Sequence, residues 1–298
     1  MPELPEVETV CRGLQAAVVG KTIAEVQLSK HRLRFPLPEF FVDRLAGRRI
    51  VRVERRAKYL LIYLDKGLVL LAHLGMSGRF RLSPAKVEKH DHVTFAFTDG
   101  SGMAFNDARR FGCMDLISAR DIAAHRLLVH LGPEPLGKDF SAAYLRGQLA
   151  ARRGPVKPVL MDQKLVVGVG NIYACEALFL AGLDPRTPAV AAASSAEALV
   201  RAIRKVLRDA IASGGSSLRD FFHTDGETGY FQHHFQVYGR AGMPCFACAS
   251  EVSQLRQAGR STCFCPACQR MPHQTLSKAG KPRQSAALRG TKKAVLGA

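Results

Sequence analysis

The chain has 298 residues, 47% of them hydrophobic, which excludes wholesale disorder and allows two domains with separate cores. Forty-three Lys and Arg against 25 Asp and Glu give a net charge of +18, a surplus that attracts polyanions because neutralised phosphates release their counterions. No stretch reaches the ~18 apolar residues of a membrane helix. The acidic, proline-containing start MPELPEVETV is unlike a secretory signal, so a cytoplasmic protein with no membrane association is expected.

In residues 5–18, Val7, Val10, Leu14 and Val18 recur at helical spacing, and Pro5 suits the first turn. Short apolar segments follow at 22–29, 49–54, 59–64, 68–73, 92–98 and 112–117, separated by turn formers such as Asp65-Lys66-Gly67 and Asp99-Gly100. They predict an antiparallel β-sandwich or barrel over residues 2–133. The run His130-Leu131-Gly132-Pro133-Glu134-Pro135 begins a linker, with residues 134–150 leading into a helical region.

Helices are expected at 141–152, 171–181 and 196–213. In the last, Leu199, Ile203, Val206, Leu207, Ala210 and Ile211 make one apolar face, and Gly214-Gly215 ends it. Arg201, Arg204, Lys205 and Arg208 read as a solvated face. Residues 151–229 thus form a helical unit and 236–270 a cysteine-rich hairpin. Residues 271–298 are a basic, low-complexity tail expected to be disordered. The fold class is α+β, in two domains.

Cys245-x2-Cys248 and Cys265-x2-Cys268, sixteen residues apart, supply four thiolates at the spacing of tetrahedral zinc. With no open coordination position this zinc is structural, holding a hairpin too small to bury a core. Cys263 is one residue off register, and Arg256 and Arg260 give the hairpin a basic tip suited to nucleic acid. No redox or nucleotide cofactor is expected.

Pro2 follows Met1, and removal of the methionine would leave a secondary amine near Glu3, Glu6 and Glu8. Alone, this composition is ordinary helix-start chemistry. However, MPELPEVETV resembles the start of the formamidopyrimidine-DNA glycosylase and endonuclease VIII family of bifunctional glycosylases. The resemblance continues in order through RRAKYL, HLGMSG, KHDHV, ARRFG, HLGPEPL, KLVVGVGNIYACE, GGSSLRDF, QVYGR and the four zinc cysteines. Leu4 in PELPE resembles the formamidopyrimidine branch, which acts on 8-oxoguanine and ring-opened purines in duplex DNA.

The resemblance implies a β-sandwich with a catalytic N-terminal helix, joined to a helix–two-turn–helix domain with a zinc-finger hairpin. It implies a monomer acting on duplex DNA with oxidised purines or abasic sites, cleaving the strand by β,δ-elimination through a Schiff base on Pro2. Glu3 would protonate the opening sugar, Lys58 assist elimination, and Arg260 hold phosphate. Met76, Arg109 and Phe111 match the family's insertion trio, which fills the hole left by the extruded base. His73, His90, Arg152, Lys157, Asn171 and Tyr238 are expected at the DNA backbone, with the N–H groups after the VGVGN glycines offered to a phosphate. Glu6 and Arg219 are expected near the lesion, and residues 224–229 lie where the family has its lesion-sensing loop.

This sequence departs from the family at Arg219, where many members have lysine, and at Ala108, where proline is common. Two other readings are an endonuclease VIII-like preference for oxidised pyrimidines and a non-catalytic damage-binding protein.

Overall fold

The computed structural model describes residues 1–84, 86–216, 224 and 229–272. Arg219, most of the 224–229 loop and the tail from residue 273 lie outside these described residues.

Helix α1, Leu4–Val18, turns Val7, Val10, Cys11, Leu14 and Val18 inward as one stripe. Two antiparallel four-stranded sheets sandwich the same core. One has the order β1-β6-β7-β5: Ile23–Leu28, Asp91–Phe97, Gly102–Asn106 and Arg79–Leu82. The other has the order β2-β3-β4-β8: Ile50–Arg56, Tyr59–Leu64, Leu68–His73 and Cys113–Ser118. A short helix α2, Phe41–Leu45, closes one end.

Strands β3 and β4 are apolar throughout because both faces are covered. Leu60 and Ile62 point into the sandwich, while Leu61, Val69 and Leu71 meet Ile117 and Leu128 outside it. Register pairs Leu60 with Ala72 and Ile62 with Leu70. Strands β5 and β7 escaped the sequence reading. The first is a four-residue RFRL segment, and the second opens on Gly102, where a Cβ would lie 2.7 Å from the Phe95 carbonyl oxygen.

The second core is helical: α3 Ala142–Ala150, α4 Val156–Leu160, α5 Asn171–Leu180, α6 Ala189–Ala192 and α7 Ala196–Ala212. Helix α7 buries Leu199, Ile203, Val206, Leu207 and Ala210 of the expected apolar face, with Ile211 half-buried at its end. Arg204, read as solvated, instead donates to the carbonyls of Pro135 (3.2 Å), Gly137 (2.9 Å) and Phe140 (3.0 Å), fixing the chain that enters this domain. The hairpin of β9, Ser253–Gln257, and β10, Arg260–Phe264, turns through Ala258 and Gly259, both at positive φ. Among the described residues no helix is long and apolar enough to cross a membrane.

Candidate active site

Glu3 precedes α1, yet its carboxylate lies at the start of α5. It accepts the N–H of Gly170 (2.8 Å), Ile172 (3.1 Å) and Tyr173 (3.5 Å), while Leu4 N–H donates to the Gly168 carbonyl (3.1 Å). A Cβ on Gly170 would sit 2.3 Å from the Glu3 carboxyl carbon, so only glycine leaves the space. The amides expected to meet phosphate are therefore occupied by the protein's own carboxylate, since a helix N-terminus attracts any anion within reach. Gly170 is the N-cap of α5. Burial outweighs these partners and Lys58 and pushes the Glu3 carboxyl above its ordinary range, so it keeps its proton to higher pH.

Glu6 is committed at both oxygens. One accepts the Glu3 N–H (2.8 Å); the other accepts the Tyr173 hydroxyl, the Ser216 N–H (2.8 Å) and the Ser216 hydroxyl (3.0 Å). Where the sequence suggested a lesion contact, the structure shows a bracket joining the start of α1 to α5 and to the segment after α7. Burial holds the Tyr173 phenol well above its usual range, so it stays a donor.

Lys58 is a buried lysine, 7% exposed, and not a solvated strand end. Burial lowers its ammonium pKa against the opposing charges of Glu3 and Glu6, with Arg260 adding to the lowering, so these four groups share one electrostatic neighbourhood. Its turn is fixed by Glu134, which accepts the N–H of Ala57 (2.7 Å) and the guanidinium donors of Arg55 (2.8 Å) and Arg56 (3.0 Å). Ala57 has a φ of 56°, a left-handed conformation that this clamp maintains. Pro2, next in the chain to Glu3, is buried, while Met1 is exposed.

His73 accepts the Gly75 N–H at Nδ1 (2.9 Å), which leaves the proton on Nε2. Burial, helped by the charges of Lys58 and Arg34, lowers its pKa to about 4, making it a neutral donor. His90 lines an open surface depression with Ser77, Arg79, Lys89 and Ala108. Met76 is half-buried, Arg109 exposed and Phe111 45% exposed, with the Arg109 guanidinium 5.3 Å from the Phe111 ring centroid. This exposure rules out core packing as the role of Phe111.

Lys157 departs from its expected place at a phosphate. It is 1% exposed, and its ammonium donates to Asn171 Oδ1 (2.6 Å), the Ser261 carbonyl (3.0 Å) and Thr262 Oγ1 (2.7 Å). Three protons meet three acceptors, so Lys157 is a rivet between α4, α5 and the hairpin. Asn171 and Tyr238 are both half-buried. Arg152 lies at the end of α3, donating to the Gln148 carbonyl (2.7 Å) and Oε1 (2.8 Å). Arg260 is exposed and makes no side-chain hydrogen bond or ion pair to another described residue, so its charge is available.

The Sγ atoms of Cys245, Cys248, Cys265 and Cys268 all lie within 4.8 Å of one another, with Cys245–Cys268 at 3.9 Å and Cys248–Cys265 at 3.5 Å. A tetrahedral zinc with bonds of about 2.3 Å requires sulfur separations of roughly 3.8 Å, so the donors fit. Cys263 is buried against this cluster and is not part of it.

The sequence reading missed three buried groups. Tyr173 and Ser216 complete the Glu6 bracket. Glu176 accepts the N–H groups of Gln236 (2.9 Å), Val237 (3.0 Å) and Tyr238 (2.8 Å), anchoring the segment that leads into the hairpin. A lone acid inside the apolar run NIYACEALFL was its available signal, because a carboxylate there needs partners.

The family model described as "Formamidopyrimidine-DNA glycosylase N-terminal domain" matches residues 1–114, and that described as "Formamidopyrimidine-DNA glycosylase H2TH domain" matches 131–222. Formamidopyrimidine-DNA glycosylase of Cereibacter sphaeroides is 50% identical over 283 residues, covering 91% of this chain and 100% of its own. That of Azorhizobium caulinodans is 51% identical over 293 residues with the same coverage. The structure is similar to MutM (Fpg) from Thermus thermophilus, with a TM-score of 0.80 and 43% identity over 90% of this chain and 98% of that one. It is also similar to a Lactococcus lactis FPG mutant in complex with Fapy-dG containing DNA, with a TM-score of 0.84 and 38% identity over 90% and 99%. With matches of this extent in both domains, the chain belongs to the formamidopyrimidine-DNA glycosylase family.

Proposed function

We propose that this chain is a monomeric DNA glycosylase and abasic-site lyase that removes oxidised purines from duplex DNA, using Pro2 as nucleophile after loss of Met1. The observation that carries the reading is that Glu3, the chain neighbour of Pro2, is held by the α5 amides and shares an electrostatic neighbourhood with buried Lys58.

A terminal amine has an ordinary pKa of roughly 8, so a useful fraction is neutral at pH 7. Its lone pair attacks the anomeric carbon, the bond to the base breaks, and Glu3 gives its proton to the sugar-ring oxygen as the ring opens. The resulting iminium acidifies the neighbouring C–H. Loss of that proton expels the 3′ phosphate, and a second elimination expels the 5′ phosphate. Lys58, buried and with its ammonium pKa lowered by that burial, assists the proton transfer. Arg260 holds and polarises phosphate, since a guanidinium with pKa above 12 is a poor acid. His73, Asn171 and Tyr238 add neutral donors along the backbone. Arg109 faces the orphaned cytosine, with Met76 and Phe111 filling the stack.

Zinc is the metal that the four thiolates suit, and bound there it would supply a structural cross-link for the hairpin that carries Arg260. A second substrate class has support as well: one Lactococcus lactis FPG structure contains oxidised pyrimidine DNA. A purely damage-binding role would leave the grouping of Pro2, Glu3, Lys58 and Arg260 without a use.

Base release from duplexes carrying 8-oxoguanine, a formamidopyrimidine or an oxidised pyrimidine tests the reading. Purine lesions are expected to be released fastest. Binding to all three duplexes without base release would overturn it.

A further inference from the structure

Met76 stands on one loop, residues 74–78, and Arg109 and Phe111 on another, residues 107–112. A single buried carboxylate joins the two. Asp107 is fully buried, and its Oδ1 accepts the Ser77 hydroxyl (2.6 Å) and the Arg109 N–H (3.3 Å), while Oδ2 accepts the Gly112 N–H (2.7 Å). Ser77 Oγ also accepts the Arg109 N–H (3.1 Å), so the hydroxyl and the carboxylate share that donor.

The backbone of Asp107 is equally engaged. Its N–H donates to the His90 carbonyl (3.0 Å), and its carbonyl accepts the Arg110 N–H (3.2 Å) and the His92 Nε2–H (2.9 Å). Between the two side-chain attachments the chain passes through Arg110 at a φ of 57°, a left-handed conformation costly for a residue with a Cβ. The loops also touch directly: a Cβ on Gly75, itself at a φ of 65°, would lie 2.4 Å from the Phe111 carbonyl carbon and the Gly112 nitrogen.

We propose that Asp107 is a positioning residue that sets the register of Met76 against Arg109 and Phe111 and thereby controls how fast the damaged base is extruded. This rests on the reading of that trio as the insertion residues. No ion pair to a described residue accompanies the Asp107 carboxylate, so its stability in the interior depends on the three donors being in place together. Movement of either loop alone would strand the charge. The two loops therefore shift as one body or not at all.

Asp107→Asn keeps the shape but turns an NH2 group toward a donor at one end. Stopped-flow fluorescence of 2-aminopurine beside 8-oxoguanine in a duplex reads extrusion directly. The variant is expected to extrude about 10-fold or more slowly, the scale of one lost hydrogen bond to a charged group, and to cleave single-stranded abasic DNA at the normal rate. Single strands need no insertion, so that second assay reports the fold and the chemistry apart from register.

Normal extrusion in Asp107→Asn would overturn the proposal. If the variant loses both activities, Ser77→Ala decides. It removes the hydroxyl's donation to Asp107 and its share of the Arg109 N–H, which keeps the carboxylate as acceptor. It should slow duplex extrusion at least about 3-fold with single-strand cleavage intact, whereas unchanged extrusion would overturn the idea. A wild-type protein that extrudes the base but cleaves nothing would sink the lyase chemistry and still leave the extrusion comparison to be read.

Discussion

Glu3 and Gly170 lie 167 positions apart, and the carboxylate of the first accepts the N–H of the second at 2.8 Å. The carboxyl group expected to act as the acid in one domain is thus held at a helix start in the other. Docking of the domains and placement of the acid are one event. Gly170→Ala should therefore behave as a catalytic lesion: its Cβ would lie 2.3 Å from the Glu3 carboxyl carbon. Base release is expected to fall at least about 100-fold, the lower range for loss of a positioned general acid, as measured in single turnovers. Activity near that of the parent would show that Glu3 works from another position.

Glu3→Gln retains the acceptor oxygen and loses the proton. Excision of an intact damaged base should fall by about 10²- to 10⁴-fold, while cleavage at a preformed abasic site, whose sugar already opens to an aldehyde, should persist. Because burial raises the Glu3 pKa, excision by the parent protein should decline as pH rises through that raised value. Comparing the pH profiles of excision and abasic cleavage tests both statements.

Lys157 and Arg260 should separate cleanly. Arg260→Ala is expected to lower the slope of log K against log salt by about 1, as one phosphate contact is lost. Lys157→Met should leave that slope unchanged and lower stability by about 1–3 kcal/mol, because buried Thr262 Oγ1, Asn171 Oδ1 and the Ser261 carbonyl lose their shared donor. Duplex titrations over a range of salt and thermal melts supply the two readouts.

His73 should stay neutral wherever the protein is active. Its folded pKa, about 4, lies below the ordinary 6.5, so in between the unfolded chain binds the proton and the folded one does not. The stability this contributes is present above 6.5 and is lost as pH falls toward about 4. An NMR titration of the imidazole with a midpoint near 6.5 would contradict the geometry around Nδ1.

Metal removal should act through the hairpin. One zinc per chain is expected by elemental analysis, and chelation should unfold β9 and β10 and reduce the salt slope by about 1, as Arg260→Ala does. A chelated protein with unchanged binding would remove Arg260 from the interface.

Much of this arrangement is legible in the sequence because it rests on local patterns. Cysteine spacing marks the metal site, and apolar runs mark β3, β4 and α7. Ordered motifs bring Pro2, Glu3 and Lys58 to notice, but not how they are held. Lys157 looked like a surface cation because nothing local tells that Ser261 and Thr262, over a hundred residues away, take its protons. The glycines of VGVGN looked like a phosphate cradle because the anion that fills it comes from Glu3 in the other domain. Strand β5 was hidden by its length, since four residues carry too little alternation to register. Long-range partners of buried polar groups are what pattern reading lacks.

Borohydride trapping on a duplex with 8-oxoguanine opposite cytosine, followed by mass spectrometry of the adduct, identifies the amine that attacks the sugar. A covalent adduct on the nitrogen of Pro2, in protein that has lost Met1, is expected. An adduct on Lys58, or nicking of the lesion strand without any adduct, would contradict it.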